Sequence, residues 1–308
     1  MSSALPVAHP ARLSTPVVLA ICFTLLCWAT AFVVIRGVGA QFGGGALALG
    51  RLTVGAIVLA LLVIGRRWLR PTWREWLLIL SFGVAWFAGY NVALNIAEHT
   101  LDAGTTAMVV NIGPLLIAIG AGVFLGEGLP RWVVIGAAVA FLGVVLIGIG
   151  QGIGGVGDPV GLLWALLAAV TYAIGVLCQK TVLRRLPSGQ VTFLGCAIGV
   201  IACLPFAPEL VSDLAQAPLP SILGVIYLGV FPTALAFSTW GYVLSRMPAS
   251  QLGVTTYVVP PLVVLFGFLA FGEVPAVLAV IGGVVCLIGV ALSRRRSAVI
   301  QPAGNLQE

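Results

Sequence analysis

Residues 103–127 read AGTTAMVVNIGPLLIAIGAGVFLGE, and residues 249–273 read ASQLGVTTYVVPPLVVLFGFLAFGE. Each stretch is apolar and long enough to cross a membrane as a helix. Each carries a proline followed 13 residues later by a glutamate: Pro114 and Glu127 in the first, Pro260 and Glu273 in the second. When residues 103–146 are aligned with residues 249–292, 12 of 44 positions are identical. The chain therefore contains two copies of one apolar unit.

The composition around these stretches indicates a membrane protein. Of 308 residues, 60% are hydrophobic and 8% are charged, whereas a soluble domain carries about 25% charged residues. So few polar side chains cannot cover a water-exposed surface. The composition excludes a soluble globular, disordered or coiled-coil protein and predicts an all-α polytopic membrane protein in contact with the lipid bilayer.

Ten apolar runs are long enough to span the hydrocarbon core as helices of about 20 residues. They leave no room for a soluble domain. The predicted spans are Pro16–Ile35, Ala46–Gly65, Trp76–Ile96, Ala103–Leu125, Trp132–Gly150, Pro159–Cys178, Gln190–Ala207, Leu219–Trp240, Ala249–Phe271 and Val274–Ser293.

The basic residues between these runs predict the orientation. With the N-terminus in the cytoplasm, 13 of the 14 Lys and Arg residues outside the spans lie on the cytoplasmic side, and only Arg36 lies outside. Positive charge is enriched on the cytoplasmic side of membrane proteins. We therefore predict a multi-pass protein of the inner (plasma) membrane with both termini cytoplasmic. The net charge of +6 follows from this loop bias, so no nucleic-acid partner is expected.

The duplication and the odd number of spans per copy predict inverted repeats. Residues 16–150 and 159–293 form two five-helix units, joined by an outer glycine-rich linker, 151–158, and flanked by cytoplasmic tails, 1–15 and 294–308. Five spans bring the second copy into the membrane from the opposite side. Inverted repeats are typical of secondary transporters, which bind a small molecule near the midplane between the repeats and rock one repeat against the other.

These features resemble the drug/metabolite transporter superfamily, and its EamA branch in particular. The matching motifs are Leu26-Cys-Trp-Ala-Thr-Ala-Phe32, Arg51 in the second span, Pro114 with Phe124-Leu-Gly-Glu127, and Pro260 with Phe271-Gly-Glu273. The similarity covers residues 16–293. It implies a basket-like fold of ten helices and the export of small metabolites. Exporters of amino acids, including aromatic ones, belong to this branch.

Paired helix interruptions mark the predicted site. Pro114 and Pro260 each lie 11 residues into a span, which places both near the midplane, as hinges or as walls of a site. Each proline removes the backbone bond to the carbonyl four residues earlier, that of Val110 or Thr256. Asn111 and Tyr257 occupy equivalent positions three residues before the prolines.

Further side chains at similar depth complete the candidate substrate site. Arg51 is the one charge within a predicted span; it could grip a substrate carboxylate, extend to the membrane surface, or pair with Asp102 or Glu273. Aromatic rings too deep for the interfacial belt could hold a flat apolar group or simply pack helices. The predicted substrate-binding residues are Trp28, Arg51, Trp86, Tyr90, Asn111, Trp164 and Tyr257.

Other function classes have less support. A multidrug or nucleotide-sugar-type carrier is the alternative transporter, although a phosphorylated substrate would call for several midplane cations. A membrane-embedded enzyme would need a buried acid, histidine or cysteine constellation, and no Asp, Glu or His lies within a predicted span. None of the six cysteines forms a C-x-x-C pair, so no metal or cofactor is expected. The same lack of titratable groups predicts a facilitator or exchanger, with Glu98, His99 and Asp102 as the groups that could otherwise couple a proton.

Overall fold

The computed structural model describes residues 14–124, scattered positions between 131 and 149, and residues 159–247, 249–272 and 274–292. The described residues are helical and contain no strand. The glycine-rich linker, residues 1–13 of the N-terminal tail, the C-terminal tail, Glu127 and Glu273 lie outside the described residues, so the predictions about them are not tested.

Within the described ranges, seven helices are long and apolar enough to cross a membrane. They coincide with seven of the ten predicted spans, and none of them lies outside a predicted span. Their bounds are α1 Thr15–Val38, α2 Gly44–Val63, α3 Trp73–Thr100, α4 Ala103–Phe124, α5 Pro159–Val182, α6 Ser188–Gln216 and α7 Leu219–Leu244.

The three remaining predicted spans are shorter or only partly described. Helix α8 consists of Ala249–Thr255, a 3-10 turn at Thr256–Val258, and Val259–Phe271, and α9 is Val277–Leu292. Between 131 and 149 the described residues are helical. The count of ten membrane spans therefore stays a prediction.

Capping residues fix where two of these helices begin. Thr72 accepts a hydrogen bond from the Glu75 backbone N–H, and the Glu75 carboxylate accepts one from the Thr72 N–H, which forms a capping box at the start of α3. Asp102 accepts from the Thr105 backbone N–H at 2.8 Å and begins α4.

The helices of the two halves begin at constant offsets. Helices α1 and α5 are 24 residues each and start 144 residues apart, as do α2 and α6. Helices α3 and α7 start 146 residues apart, as do α4 and α8. The offset of 146 is also that of the sequence alignment of residues 103–146 with residues 249–292, so the described elements follow the duplicated pattern.

The irregular segments are duplicated as well. Helix α3 contains a π-helical stretch at Gly83–Tyr90, and α7 contains one at Gly229–Leu235, again 146 residues later. Such stretches insert a residue into a helix and are frequent at functional sites. Helix α4 is interrupted at Asn111 and Ile112, and α8 has its 3-10 turn at the corresponding position.

The two halves pack against each other along most of their length. Helix α2 contacts α6 and α7, α1 contacts α7 and α8, α3 contacts α5 and α6, and α4 contacts α5 and α8. Glycines permit the closest approaches: a Cβ on Gly175 would lie 2.4 Å from the Trp86 Cβ, and one on Gly113 would lie 2.3 Å from the Tyr172 ring. One continuous hydrophobic core therefore includes residues from both halves.

Polar contacts join the halves at the end of the bundle where α3 begins. Gln190 bonds both backbone groups of Leu69, donating to the carbonyl at 2.7 Å and accepting from the N–H at 3.0 Å. Arg185 forms an ion pair with Glu75, and this carboxylate raises the pKa of the Arg185 guanidinium above its usual value. These contacts link the segment before α3 to the segment between α5 and α6.

Candidate substrate site

A cavity of about 590 Å³ lies between the two halves, beside the π-helical stretches and the helix interruptions. Its lining includes the interruption of α4 through Val110, Asn111 and Pro114, and the turn of α8 through Thr256 and Val259. The irregular backbone of both halves therefore meets at one cavity.

Aromatic side chains form one wall of this cavity. Trp86 lies at the centre, with its ring centroid 5.1 Å from that of Tyr172, 4.9 Å from that of Phe237 and 6.2 Å from that of Trp28. Trp28 also donates its indole N–H to the Pro232 carbonyl at 3.3 Å. These four rings, which all line the cavity, form what we call the aromatic wall. Edge-to-face and tilted pairs of this kind hold the rings in fixed positions.

Arg51 lines the cavity from α2 and is only 3% exposed. Its Nε donates to Thr233 Oγ1 at 3.2 Å, and Thr233 in turn donates to the Leu228 carbonyl at 2.7 Å. The π-helical stretch of α7 thus holds one side of the guanidinium. The Nη1 atom is buried and has no hydrogen-bond partner among the described residues.

Asn111 lines the cavity at the interruption of α4 and is 6% exposed. Its Nδ2 donates to the Thr256 carbonyl at 3.3 Å. This is the carbonyl that Pro260 cannot bond, so a side chain from the other half takes the place of the missing N–H. The Asn111 Oδ1 atom is buried without a partner in the described part of the chain.

Comparison with known proteins identifies the family. The profile of the EamA-like transporter family matches residues 15–149 and again residues 159–295. The chain belongs to the EamA-like transporter family. The resemblance that the sequence motifs carried is thereby confirmed, and the chain is a multi-pass membrane transporter with two EamA copies.

Curated relatives of this EamA-like chain carry transporter names. A protein of Streptantibioticus cattleyicolor described as "Probable terminal-alkyne amino-acid exporter" is 33% identical, covering 90% of this chain and 93% of that protein. The Bacillus subtilis "Uncharacterized transporter YdfC" is 32% identical over 86% of this chain and 87% of its own length. A Salmonella typhimurium "Probable amino-acid metabolite efflux pump" is 25% identical over 70% of this chain and 76% of its own.

A solved structure shares the fold of the EamA-like chain. It superimposes with a TM-score of 0.63 at 22% sequence identity, and the match covers 90% of this chain and 96% of that one. Its title reads only "Crystal structure of protein". At this identity, the likeness concerns the arrangement of the helices alone.

The predicted site residues divide between the lining of the cavity and its surroundings. Trp28, Arg51, Trp86, Tyr90, Asn111 and Pro114 all line it. Trp164 is half-buried and packs against the core, Tyr257 is half-buried, and Pro260 is buried in α8; these three are not part of the lining. A role for any of these residues in binding stays a prediction.

Thr233 and Phe237, which both lie in α7, were not predicted from the sequence. Phe237 belongs to the aromatic wall, and Thr233 positions Arg51. A signal was present: Pro232 lies well inside an apolar span, where a proline disturbs a helix as Pro114 and Pro260 do.

The structure bears on two predictions about charged residues. Arg51 does not extend to the membrane surface, because it is buried and held by Thr233. Helix α3 continues to Thr100, so Glu98 belongs to a helix that is long and apolar enough to cross a membrane, and it is 2% exposed. Arg36 donates to the Glu98 backbone carbonyl at 3.1 Å. A buried carboxyl group therefore lies near the end of this helix, just beyond the predicted span.

Proposed function

We propose that this EamA-like chain exports amino acids with apolar or aromatic side chains across the cell membrane. The observation that carries the proposal is a buried arginine whose Nη1 has no partner among the described residues, on the wall of a cavity whose other lining residues are mostly aromatic or apolar. The arginine provides a partner for the carboxylate that every amino acid carries. The aromatic wall provides a surface for an apolar or aromatic side chain.

The names of two relatives support this substrate class. The proteins from Streptantibioticus cattleyicolor and Salmonella typhimurium are described as exporting an amino acid or an amino-acid metabolite. Among the described residues that line the cavity, Arg51 is the one cationic side chain. A phosphorylated substrate such as a nucleotide sugar would need several cations, so this feature disfavours the alternative carrier.

The mechanism that we propose is alternating access between the two EamA copies. It includes ten membrane spans in two inverted repeats, with both termini on the cytoplasmic side. The matched helix offsets and the charge bias of the loops support it. Reporter fusions at Asp158 and at Glu308 should report opposite sides of the membrane. The same side for both would contradict the inverted arrangement.

Transport by the purified protein tests the substrate class. In proteoliposomes we expect uptake of labelled phenylalanine and leucine well above that of glutamate or choline. Trp28→Ala should lower this uptake at equal protein content, because Trp28 belongs to the aromatic wall. Trp73→Ala is the matched control, since Trp73 is 68% exposed and is not among the lining residues. Equal uptake of all four compounds, or of none, would overturn the proposal.

The driving force can be measured in the same vesicles. A facilitator or exchanger should move substrate down its own gradient with no pH difference and no membrane potential. Buried Glu98 makes proton-coupled antiport the competing mechanism, because such carriers commonly use an intramembrane carboxylate. Strict dependence on an imposed proton gradient that is lost in Glu98→Gln would establish that mechanism instead.

A further inference from the structure

We infer that the cavity recognises the free α-amino-acid zwitterion by both of its charged ends. The carboxylate binds at Arg51 Nη1, and the ammonium group binds at Asn111 Oδ1. The inference rests on the proposed function and adds which atoms of the substrate the protein reads. It also predicts which analogues the protein rejects.

The proposed binding position for the carboxylate is at Arg51. A guanidinium is always charged and carries five N–H donors. Thr233 holds Nε, and Nη1 remains buried and unbonded within the described residues. Because a buried charged donor without a partner is costly, this atom marks a position for an anionic acceptor. A carboxylate suits a guanidinium in both charge and planar geometry.

The proposed binding position for the ammonium group is at Asn111, whose side-chain amide is oriented by a hydrogen bond to the other half of the chain. The bond from Nδ2 to the Thr256 carbonyl uses the donor side of the amide. The acceptor side, Oδ1, is left buried and unbonded among the residues that the structure describes. An acceptor in this position calls for a donor, and an ammonium group offers three. The indole rings of Trp28 and Trp86 belong to the same lining, and an indole face is a favourable surface for a cation.

The charge of the cavity lining predicts which of the two substrate groups contributes more to binding. Its described lining contains a cation and no acidic side chain, so the lining itself favours a ligand group that carries negative charge. We therefore expect a zwitterion to bind best, an analogue with only the carboxylate to bind less well, and an analogue with only the amine to bind worst. A cavity that recognised the apolar side chain alone would not separate these three.

Binding competition measures this ranking independently of membrane permeability. Labelled phenylalanine is bound to purified protein in detergent, measured by scintillation proximity, and displaced by unlabelled compounds. Loss of a hydrogen bond to a charged group weakens binding by about tenfold to a hundredfold. We expect that range for phenylalanine methyl ester, which lacks the carboxylate, and about tenfold for 3-phenylpropionate, which lacks the ammonium group.

Variants test whether Arg51 binds the carboxylate and Asn111 binds the ammonium group. Arg51→Gln should weaken phenylalanine binding and remove the discrimination against the methyl ester. Asn111→Leu should remove the discrimination against 3-phenylpropionate while keeping that against the ester. Asn95→Leu is the matched control: Asn95 also donates to a backbone carbonyl, that of Gly44 at 3.0 Å, and also has a buried unpartnered Oδ1, but it is not among the lining residues.

A second variant guards against misfolding of Arg51→Gln. Thr233→Val removes the partner of Arg51 Nε but keeps the charge, so it should weaken phenylalanine binding and reduce, without removing, the discrimination against the ester. The analogue series on the unaltered protein needs no variant. If phenylalanine binds and the ester competes equally well, the zwitterion inference is wrong while the proposed function stands. If no amino acid binds or is transported, the proposed function itself fails.

Discussion

The first half of the chain supplies eleven of the fifteen described residues that line the cavity, among them the arginine and both asparagines, whereas the second half supplies four, of which three are aromatic or apolar. Arg51, Asn91 and Asn111 come from α2, α3 and α4, and Tyr172 and Phe237 come from α5 and α7. Yet the helices, the π-helical stretches and the interruptions recur at constant offsets. The comparison teaches that the two copies kept one backbone and diverged in their side chains where they meet.

One pair of equivalent positions shows how the divergence is accommodated. The offset of 144 residues that relates α2 to α6 pairs Arg51 with Gly195. A Cβ on Gly195 would lie 2.4 Å from the Phe82 ring. The long cation of one half thus corresponds to a position in the other half with no room for a single methyl group.

Removing the central ring of the aromatic wall should have the largest effect on stability. Trp86 is 1% exposed and contacts rings from both halves, whereas the equivalent position in the second half is Pro232. We expect Trp86→Ala to lower the free energy of unfolding by about 3–5 kcal/mol, measured by SDS titration in mixed micelles. Trp86→Phe should cost less, because it keeps a ring in the same space. If Trp86→Ala lowered the free energy of unfolding by less than Trp86→Phe, the ring of Trp86 would not be what holds the surrounding side chains in place.

Filling the close contact at Gly195 should have an intermediate effect. Gly195→Ala places a methyl group against Phe82, and overpacking of this kind costs about 1–3 kcal/mol. Gly267→Ala is the matched control, because a Cβ there meets nothing within 4 Å. The two variants can be compared by the rate at which buried cysteines, such as Cys196 and Cys203, react with a fluorescent maleimide on heating. If Gly195→Ala and Gly267→Ala reacted at the same rate at every temperature, Phe82 would be able to move aside. Packing would then not be the reason why the position equivalent to Arg51 is a glycine.

Loosening the polar link between the halves should have the smallest effect. Gln190→Leu removes both bonds to the Leu69 backbone, and we expect a loss of about 0.5–1.5 kcal/mol. Arg185→Gln serves as the comparison on the exposed side of the same link and should be close to neutral, because ion pairs in water contribute little. Both are measured by SDS titration. If Arg185→Gln lowered the free energy of unfolding by more than Gln190→Leu, the exposed ion pair would be the stronger of the two contacts, contrary to this prediction.

Much of the scaffold could be predicted from the sequence, because lipid allows few solutions to backbone hydrogen bonding. Apolar length located the seven long helices, and the duplicated proline and glutamate aligned the halves. Depth along each helix also brought Trp28, Arg51 and Asn111 to the right level, since the rise per residue is constant.

Rotation about the helix axis could not be predicted in the same way. Trp164 and Tyr257 lie at plausible depths but outside the cavity lining, because depth does not specify which neighbour a side chain faces. Burial of Glu98 was missed because α3 extends beyond its apolar run. The partner of Arg51 was missed because Thr233 is an ordinary residue in the sequence and becomes a partner only through the irregular turn around it.

The π-helical stretch at Gly83–Tyr90 also has an evolutionary consequence. Such a stretch is a one-residue insertion that the helix has absorbed. Because the stretch itself takes up the extra residue, deleting one codon within it would restore a regular helix while the segments on either side keep their facing. Asn91 and Leu94, which line the cavity, would then keep their orientation, whereas Trp86 and Tyr90 lie within the stretch and would shift in register. Gain or loss of a single codon is therefore a route by which a duplicated transporter could exchange one set of cavity-facing residues for another.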